Sequence, residues 1–469
     1  MYIVLQLPTK CSCNHLHFCV ATTYIFVLQL SVFLLYNKQA SFNAKGVIDY
    51  GEDISVYKGA FEWAIEFPEL LNEKGVFLGF DCIIGNPPYG LINKKQNQNT
   101  SISVSEKLYS YYNNTPLYFY ARGGVINIYR LFICRCFSLL RMDGRCCLIF
   151  PLAFMGDSTN SMLRRFIMEN TRIDFLEAFP ERDNANTRVF KEVKMSVCIL
   201  GATKTKVDSS YKFGVRINRD KYVDDNNSVM YISYNEIDVI DGEKHSIPII
   251  QEHELPIFLK MSKDCKRMSE YSKCYTGEVD MSLDKKYITT SDKDALMLRG
   301  AQVQKYYTTN DISQGEIFYL RDESFLQNNR GERSEHHNRK RIVMQGITGI
   351  NEKWRLKMTM INPPYFCANS VNYLIPPVDN DLDYYLLGVL NSKLINWYFS
   401  KQSTNSNVNG YEVDGIPIKE GTKAQQLEVI SAVKKVLNNP EDVGEIQKID
   451  HVIYDIYGIT DYEIPIIED

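Results

Sequence analysis

The chain has 469 residues, 45% of them hydrophobic, 23% charged and 12% aromatic, which excludes wholesale disorder and leaves room for two or three domains, each with its own core. A formal net charge of -4 excludes a generally basic nucleic-acid coat, so any DNA contact has to come from a local face. The twelve Cys are scattered through apolar segments rather than spaced as in a small secreted scaffold, which predicts free thiols in a reducing, cytoplasmic setting.

Residues 1–43 read as an atypical apolar leader. Cys11, Cys13, His15 and His17 are crowded together where metal sites usually pair distant segments, so no metal is expected. Residues 18–36 form an uncharged, largely apolar run of roughly the length that spans a bilayer. Its β-branched and aromatic content, with Thr22, Thr23, Gln29 and Ser31 inside it, favours a displaced start or buried strands over a membrane anchor. No small-residue cleavage site follows, which argues against a signal peptide.

From residue 44 onward the pattern becomes that of an α/β protein. Residues 61–71 suggest a short amphipathic segment, 79–85 a buried strand, 94–107 a polar loop, 126–141 a helix stopped by Asp143 and Gly144, and 145–151 a strand. A helix capped by Asp157 or Ser158 runs to 168, and strands follow at 172–179, 194–201 and 211–217. This alternation predicts a doubly wound sheet with ligand sites at the carboxyl ends of its strands. The chain turns polar over 205–265, so a catalytic domain is expected at 44–265 and a second, mixed domain at 266–420. A tail at 421–469 carries helices at 423–437 and 443–457. Leu386, Leu387, Leu390, Leu394 and Trp397 form a helical stripe that reads as core.

The chemistry points to Asn86, Pro87, Pro88 and Tyr89, placed directly after the apolar strand. The exocyclic amine of adenine is a poor nucleophile because its lone pair is delocalised into the ring. An Asn side-chain oxygen and a neighbouring backbone carbonyl are both acceptors, and can take its two hydrogens while the nitrogen attacks a sulfonium methyl. Two prolines stiffen the loop and remove competing donors, and Tyr89 offers a ring face to a base flipped from the duplex. The same tetrapeptide recurs at Asn362, Pro363, Pro364 and Tyr365, outside any strand-helix alternation, and there it reads as a structural turn.

Residues 61–90 resemble the catalytic segment of gamma-type, adenine-specific DNA methyltransferases of type IIG restriction-modification enzymes: Phe61, Trp63, Glu66, Phe67, Pro68 and Glu69 precede Gly79, Phe80, Asp81 and the tetrapeptide. The likeness continues in family order through Tyr129 to Phe132, Gly144 and Arg145, Phe150 and Pro151, Leu163 to Phe166, and Val189 and Phe190. It implies a partial Rossmann-like methyltransferase sheet followed by a mixed α/β target-recognition domain and a helical tail. It also implies S-adenosyl-L-methionine as cofactor and double-stranded DNA as partner. By the same resemblance Asn86 and Pro87 bind the target amine, Tyr89 stacks on the adenine, and Phe154 is the candidate second aromatic.

In the second domain, segments around Leu298 to Gly300, Gln304 to Tyr307, Arg341 to Gln345, Ala368 to Ser370, Leu387 to Lys393, Trp397 to Phe399 and Asn405 to Gly410 resemble type IIG target-recognition domains. Arg299, Gln304, Asn405, Asn407 and Asn409 carry groups able to read purine edges, and the basic stretch ending at Arg341 is suited to phosphate. The chain departs from the family in having no Gly-x-Gly loop for the cofactor, so its cofactor-binding residues are unknown. A truncated or frameshifted gene product is therefore expected, and whether a separate upstream chain supplies the cofactor half is left open. The alternatives are a catalytically inactive DNA-binding specificity module and, with the large recognition domain against it, methylation of a protein glutamine. No nuclease signature of spaced acidic residues followed by Glu-x-Lys is present.

Overall fold

The computed structural model describes residues 63–93, 106–180, 184–191, 193–311, 316–329, 331–349, 352–377, 379–403 and 406–468, together with the backbone of short strands at 2–5, 41–42, 48–49 and 101–103. The cluster at Cys11 to His17, the apolar run at 18–36 and Asn405 lie outside the described residues. Among the described residues no helix is long and apolar enough to cross a membrane, and no group of three or more His, Cys, Asp or Glu could hold a metal ion. The chain divides into two compact units, Met1–Leu255 and Pro256–Asp469.

The first unit is built on a seven-stranded sheet. In chain order its strands are β1 (Tyr2–Leu5), β2 (Phe80–Gly85), β3 (Leu140–Pro151), β4 (Arg172–Phe179), β5 (Val197–Thr203), β6 (Lys212–Ile217) and β7 (Val229–Ser233). Their order across the sheet is β1-β2-β3-β5-β4-β6-β7. β1, β2 and β3 run parallel, as do β4 and β6, while β5 is inserted in the opposite sense between β3 and β4. Phe80, Cys82 and Ile83 of β2 are all buried, while Asp81 between them reaches solvent. Trp63 and Phe67 meet Phe80 edge-on, with ring centroids 5.5 and 5.2 Å away, and fix the start of that strand.

Helix α1 (Ile128–Leu139) is capped by Asn127, whose side chain accepts from the Tyr129 N–H. It ends two residues earlier than the periodicity suggests because β3 begins at Leu140, five residues before the expected strand start. Asp143 and Gly144 are therefore not a helix stop but part of an irregularity inside β3. Phe80 pairs with Leu140 and Cys82 with Arg145, so the intervening residues bulge out, with Asp143 at φ 60°. Arg141 crosses this bulge to Asp81, Nε to Oδ1 at 2.6 Å. The side chain of Asp157 caps a short 3-10 turn, Ser158–Asn160, and α2 (Ser161–Asn170) then follows, so the helix expected to end at 168 starts later and runs two residues further.

The second unit holds two four-stranded sheets and a helical end. One sheet is antiparallel, in the order Tyr275–Thr276, Val371–Leu374, Arg341–Gln345, Met358–Ile361. The other joins Ile288–Thr289, Tyr319–Leu320, Ala295–Leu298 and Phe366–Cys367. Helices α3 (Leu382–Leu390) and α4 (Lys393–Gln402) bury Leu386, Leu387, Leu390, Leu394 and Trp397, the stripe read as core. Helices α5 (Lys423–Asn438) and α6 (Val443–Tyr457) close the unit. Gly388 permits the close crossing of α3 and α5, since a Cβ there would lie 2.6 Å from Val429 Cγ1.

Candidate active site

The tetrapeptide sits where β2 ends, beside the carboxyl end of the parallel strand β3. Pro87 is buried, and Asn86, Pro88 and Tyr89 are partly exposed. The Tyr89 hydroxyl lies 2.8 Å from Asn86 Oδ1 and 3.0 Å from the Ile149 carbonyl oxygen of β3, so the loop is tied to both its own asparagine and the neighbouring strand. Burial pushes the Tyr89 phenol far up, which keeps it protonated as a hydrogen-bond donor. Beyond the tetrapeptide the loop is pinned to the start of α1. Gly90 O accepts from Ile128 N at 3.0 Å, and Ile92 N donates to Ile126 O at 2.9 Å. Asn127 Oδ1 also receives the Gly90 N–H at 3.4 Å, so one side chain serves both the helix cap and the loop.

The segment after β3 is held from three sides. Tyr129 stacks on Phe150, with centroids 5.9 Å apart, and its hydroxyl donates to Asn160 Oδ1 at 2.8 Å. Arg130, buried, donates to the carbonyls of Gly123 and Thr159, each at 2.8 Å, and also to that of Val125. Arg164, also buried, donates to the carbonyls of Phe154 at 2.7 Å and Asp157 at 2.9 Å, and burial lowers its guanidinium to about 10. The arginines that stand out in the sequence are thus braces for backbone that would otherwise be unsatisfied.

Phe154 is not available to a base in this arrangement. It is fully buried and packs edge-on against Phe150, centroids 5.0 Å apart, and its carbonyl accepts from Arg164 Nη1 at 2.7 Å. The aromatic beside Tyr89 is Phe190, partly exposed, with ring centroids 6.3 Å apart at 65°. Phe190 comes from the segment between β4 and β5, and the sequence held only the Val189 and Phe190 likeness as a signal for it. The second tetrapeptide is an exposed turn between Met358–Ile361 and Phe366–Cys367, with a cis peptide between Pro363 and Pro364.

The candidate DNA contacts of the second unit fall in different settings. Arg299 is partly buried over the Phe318 ring and donates to Glu316 O at 2.9 Å. Gln304 Nε2 donates weakly to Ala301 O at 3.3 Å. Asn409 caps the short helix Gly410–Asp414 in a box with Glu412. Asn407 is exposed, opposite Ile347. Arg341 corrects the expectation placed on it. Its side chain is fully buried and is held by Glu278, Nη1 to Oε2 at 3.1 Å, and by the Tyr365 carbonyl. A guanidinium so enclosed has no face left for phosphate.

The fold is mixed α/β, and the first unit carries a seven-stranded sheet in which β5 and β7 run antiparallel to their neighbours. Residues 21–185 match the Eco57I restriction-modification methylase family, and residues 295–418 match the TaqI-like C-terminal specificity domain. The two matches lie in succession along the chain, the first within the first unit and the second within the second. It is 23% identical over 358 residues to RM.MjaORFECS2P of Methanocaldococcus jannaschii, assigned as a type II restriction enzyme and methyltransferase, a match that takes in 73% of this chain and 27% of that one. It is also similar in fold to the type IIL restriction-modification enzyme MmeI, whose structure was solved in complex with DNA, at a TM-score of 0.51 and 11% identity over 86% of this chain and 57% of MmeI. The chain therefore spans about a quarter of the curated relative and little more than half of the solved one.

Proposed function

We propose that this chain supplies the catalytic and recognition parts of a site-specific adenine DNA methyltransferase of the type IIG kind, acting in the cytoplasm on double-stranded DNA. In this reading residues 44–265 are the catalytic domain, 266–420 the target-recognition domain and 421–469 a supporting tail. The observation that carries the proposal is the placement of Asn86 at the carboxyl end of β2, with its Oδ1 beside the Tyr89 hydroxyl and the Tyr89 ring beside Phe190.

Asn86 Oδ1 and the Pro87 carbonyl accept the two hydrogens of adenine N6 and turn the nitrogen lone pair out of the ring. Oδ1 has two lone pairs, so it can keep the Tyr89 bond while accepting from the amine. Tyr89 and Phe190 supply the apolar walls that a flipped base needs after it loses its stacking in the duplex. The acceptors and rings fit the target side of the reaction. S-adenosyl-L-methionine is the donor this chemistry requires, and no described residue is assigned to hold it.

Calorimetric titration of the purified chain with S-adenosyl-L-methionine, beside a methyl-transfer assay on DNA, tests the proposal. Saturable binding and transfer that is lost in Asn86→Ala support it. Absence of both, with sequence-selective DNA binding retained, would leave a specificity module. Binding restored by the product of an adjoining reading frame with a Gly-rich methyltransferase segment would place the cofactor half on a separate chain.

A further inference from the structure

In the second unit, three loops are laced into one surface. The turn at 303–308 is closed by a bridge between Val303 and Thr308 and by Gln304 N donating to Tyr307 O at 2.9 Å. Gln345, at the end of its strand, donates from Nε2 to Val303 O at 2.6 Å and so joins that turn to the next loop. There Val408 N donates to Gly346 O at 2.9 Å and Thr348 N to Ser406 O at 3.1 Å, with Ile347 and Asn407 directly opposite each other in an antiparallel bridge. Side chains alternate across such a ladder. Thr348 and Val408 are buried at 7% and 2% exposure, whereas Ile347 is 63% exposed and Asn407 stands exposed next to it.

The ladder thus presents an apolar branched side chain and an exposed carboxamide side by side on one face. Together they complement what an A·T base pair presents in the major groove. A carboxamide can bond both adenine N7 and N6, and the C5-methyl of thymine is the one apolar group on the groove floor. We infer that Ile347 and Asn407 are specificity-determining residues that together read an A·T pair, or two adjacent pairs containing A and T, in the target site. This rests on the reading of the second unit as the target-recognition domain, and it adds Ile347 as an apolar partner to Asn407 at one place on that surface. Neither side chain carries charge, so the pair contributes selectivity without adding to the phosphate-driven, salt-dependent part of binding.

The test is selection of duplexes from a randomised DNA library by the full chain, repeated with Ile347→Ala and Asn407→Ala. The parent chain is expected to enrich one sequence. Each variant should lose discrimination at one position or at neighbouring A·T positions, with Asn407→Ala losing on the order of ten- to a hundredfold and Ile347→Ala several-fold. The slope of affinity against salt should stay that of the parent, and denaturation should confirm that both variants are as stable as the parent. Variants that select the parent's sequence with the parent's affinity would overturn the inference while leaving DNA recognition standing. So would variants that lose affinity equally for all sequences, with a salt slope shallower by about one charge. A parent chain that selects no sequence would overturn the recognition reading itself, and this inference with it.

Discussion

Replacing Arg341 with methionine separates two roles that the sequence could not tell apart. The guanidinium is fully enclosed, sits 4.7 Å over the Tyr373 ring and is paired with Glu278, which is itself 5% exposed. Methionine fills a similar volume but leaves the Glu278 carboxylate without its counter-ion in an apolar surround. Breaking a buried pair on one side costs about 3–5 kcal/mol, because the remaining charge has lost its water and its partner. Urea denaturation followed by the fluorescence of Trp354 and Trp397, both in the second unit, should show a loss of that size. The double variant Arg341→Met with Glu278→Gln should recover much of it by removing the stranded charge. DNA binding by whatever fraction stays folded should keep the parent's salt slope. Unchanged stability with a slope reduced by about one would refute the reasoning and restore Arg341 as a phosphate contact.

Three further outcomes follow from the geometry. Gly79 is at φ +96°, and a Cβ there would lie 2.5 Å from Arg141 N, so Gly79→Ala should cost more than about 2 kcal/mol from backbone strain and overlap, read by thermal denaturation. Asn127→Ala removes both the α1 cap and the Gly90 anchor. It should cost about 1 kcal/mol in stability, and amide exchange should quicken at Gly90. Burial lowers the Lys305 ammonium from its ordinary 10.5 to about 8. The unfolded chain therefore binds more protons than the folded one between about pH 8 and 10.5, and this side chain's contribution to stability rises with pH across that window. The difference in stability between the parent and Lys305→Met should change there by on the order of 3 kcal/mol at most, and a difference independent of pH would contradict the assignment.

What was readable in the sequence was what local pattern determines. The apolar run of β2, from Cys82 to Gly85, is short, ends at Asn86 and is largely buried in the sheet. Helix α6 has the bounds its sequence pattern predicts, and the structure shows Asp442 capping its start and Gly458 ending it in the left-handed conformation. The misreadings came from partners far away along the chain. Asp143 and Gly144 carry an ordinary turn signal, yet pairing with Phe80 and Cys82 absorbs them into a bulge. Phe154 follows its strand as a base-stacking aromatic would, but it packs inward against Phe150, and the ring that meets Tyr89 is Phe190, from the segment between β4 and β5. Arg341 ends a basic stretch, and only the fold supplies Glu278, 63 residues earlier, to neutralise it.

The most direct test of the account is mass-spectrometric analysis of DNA after incubation with the full chain and methyl-labelled S-adenosyl-L-methionine, with Asn86→Ala as the comparison. The account predicts label on adenine N6, at one sequence context, lost when Asn86 is replaced. Label on cytosine or on a protein glutamine, or label on adenine that persists in Asn86→Ala, would contradict it.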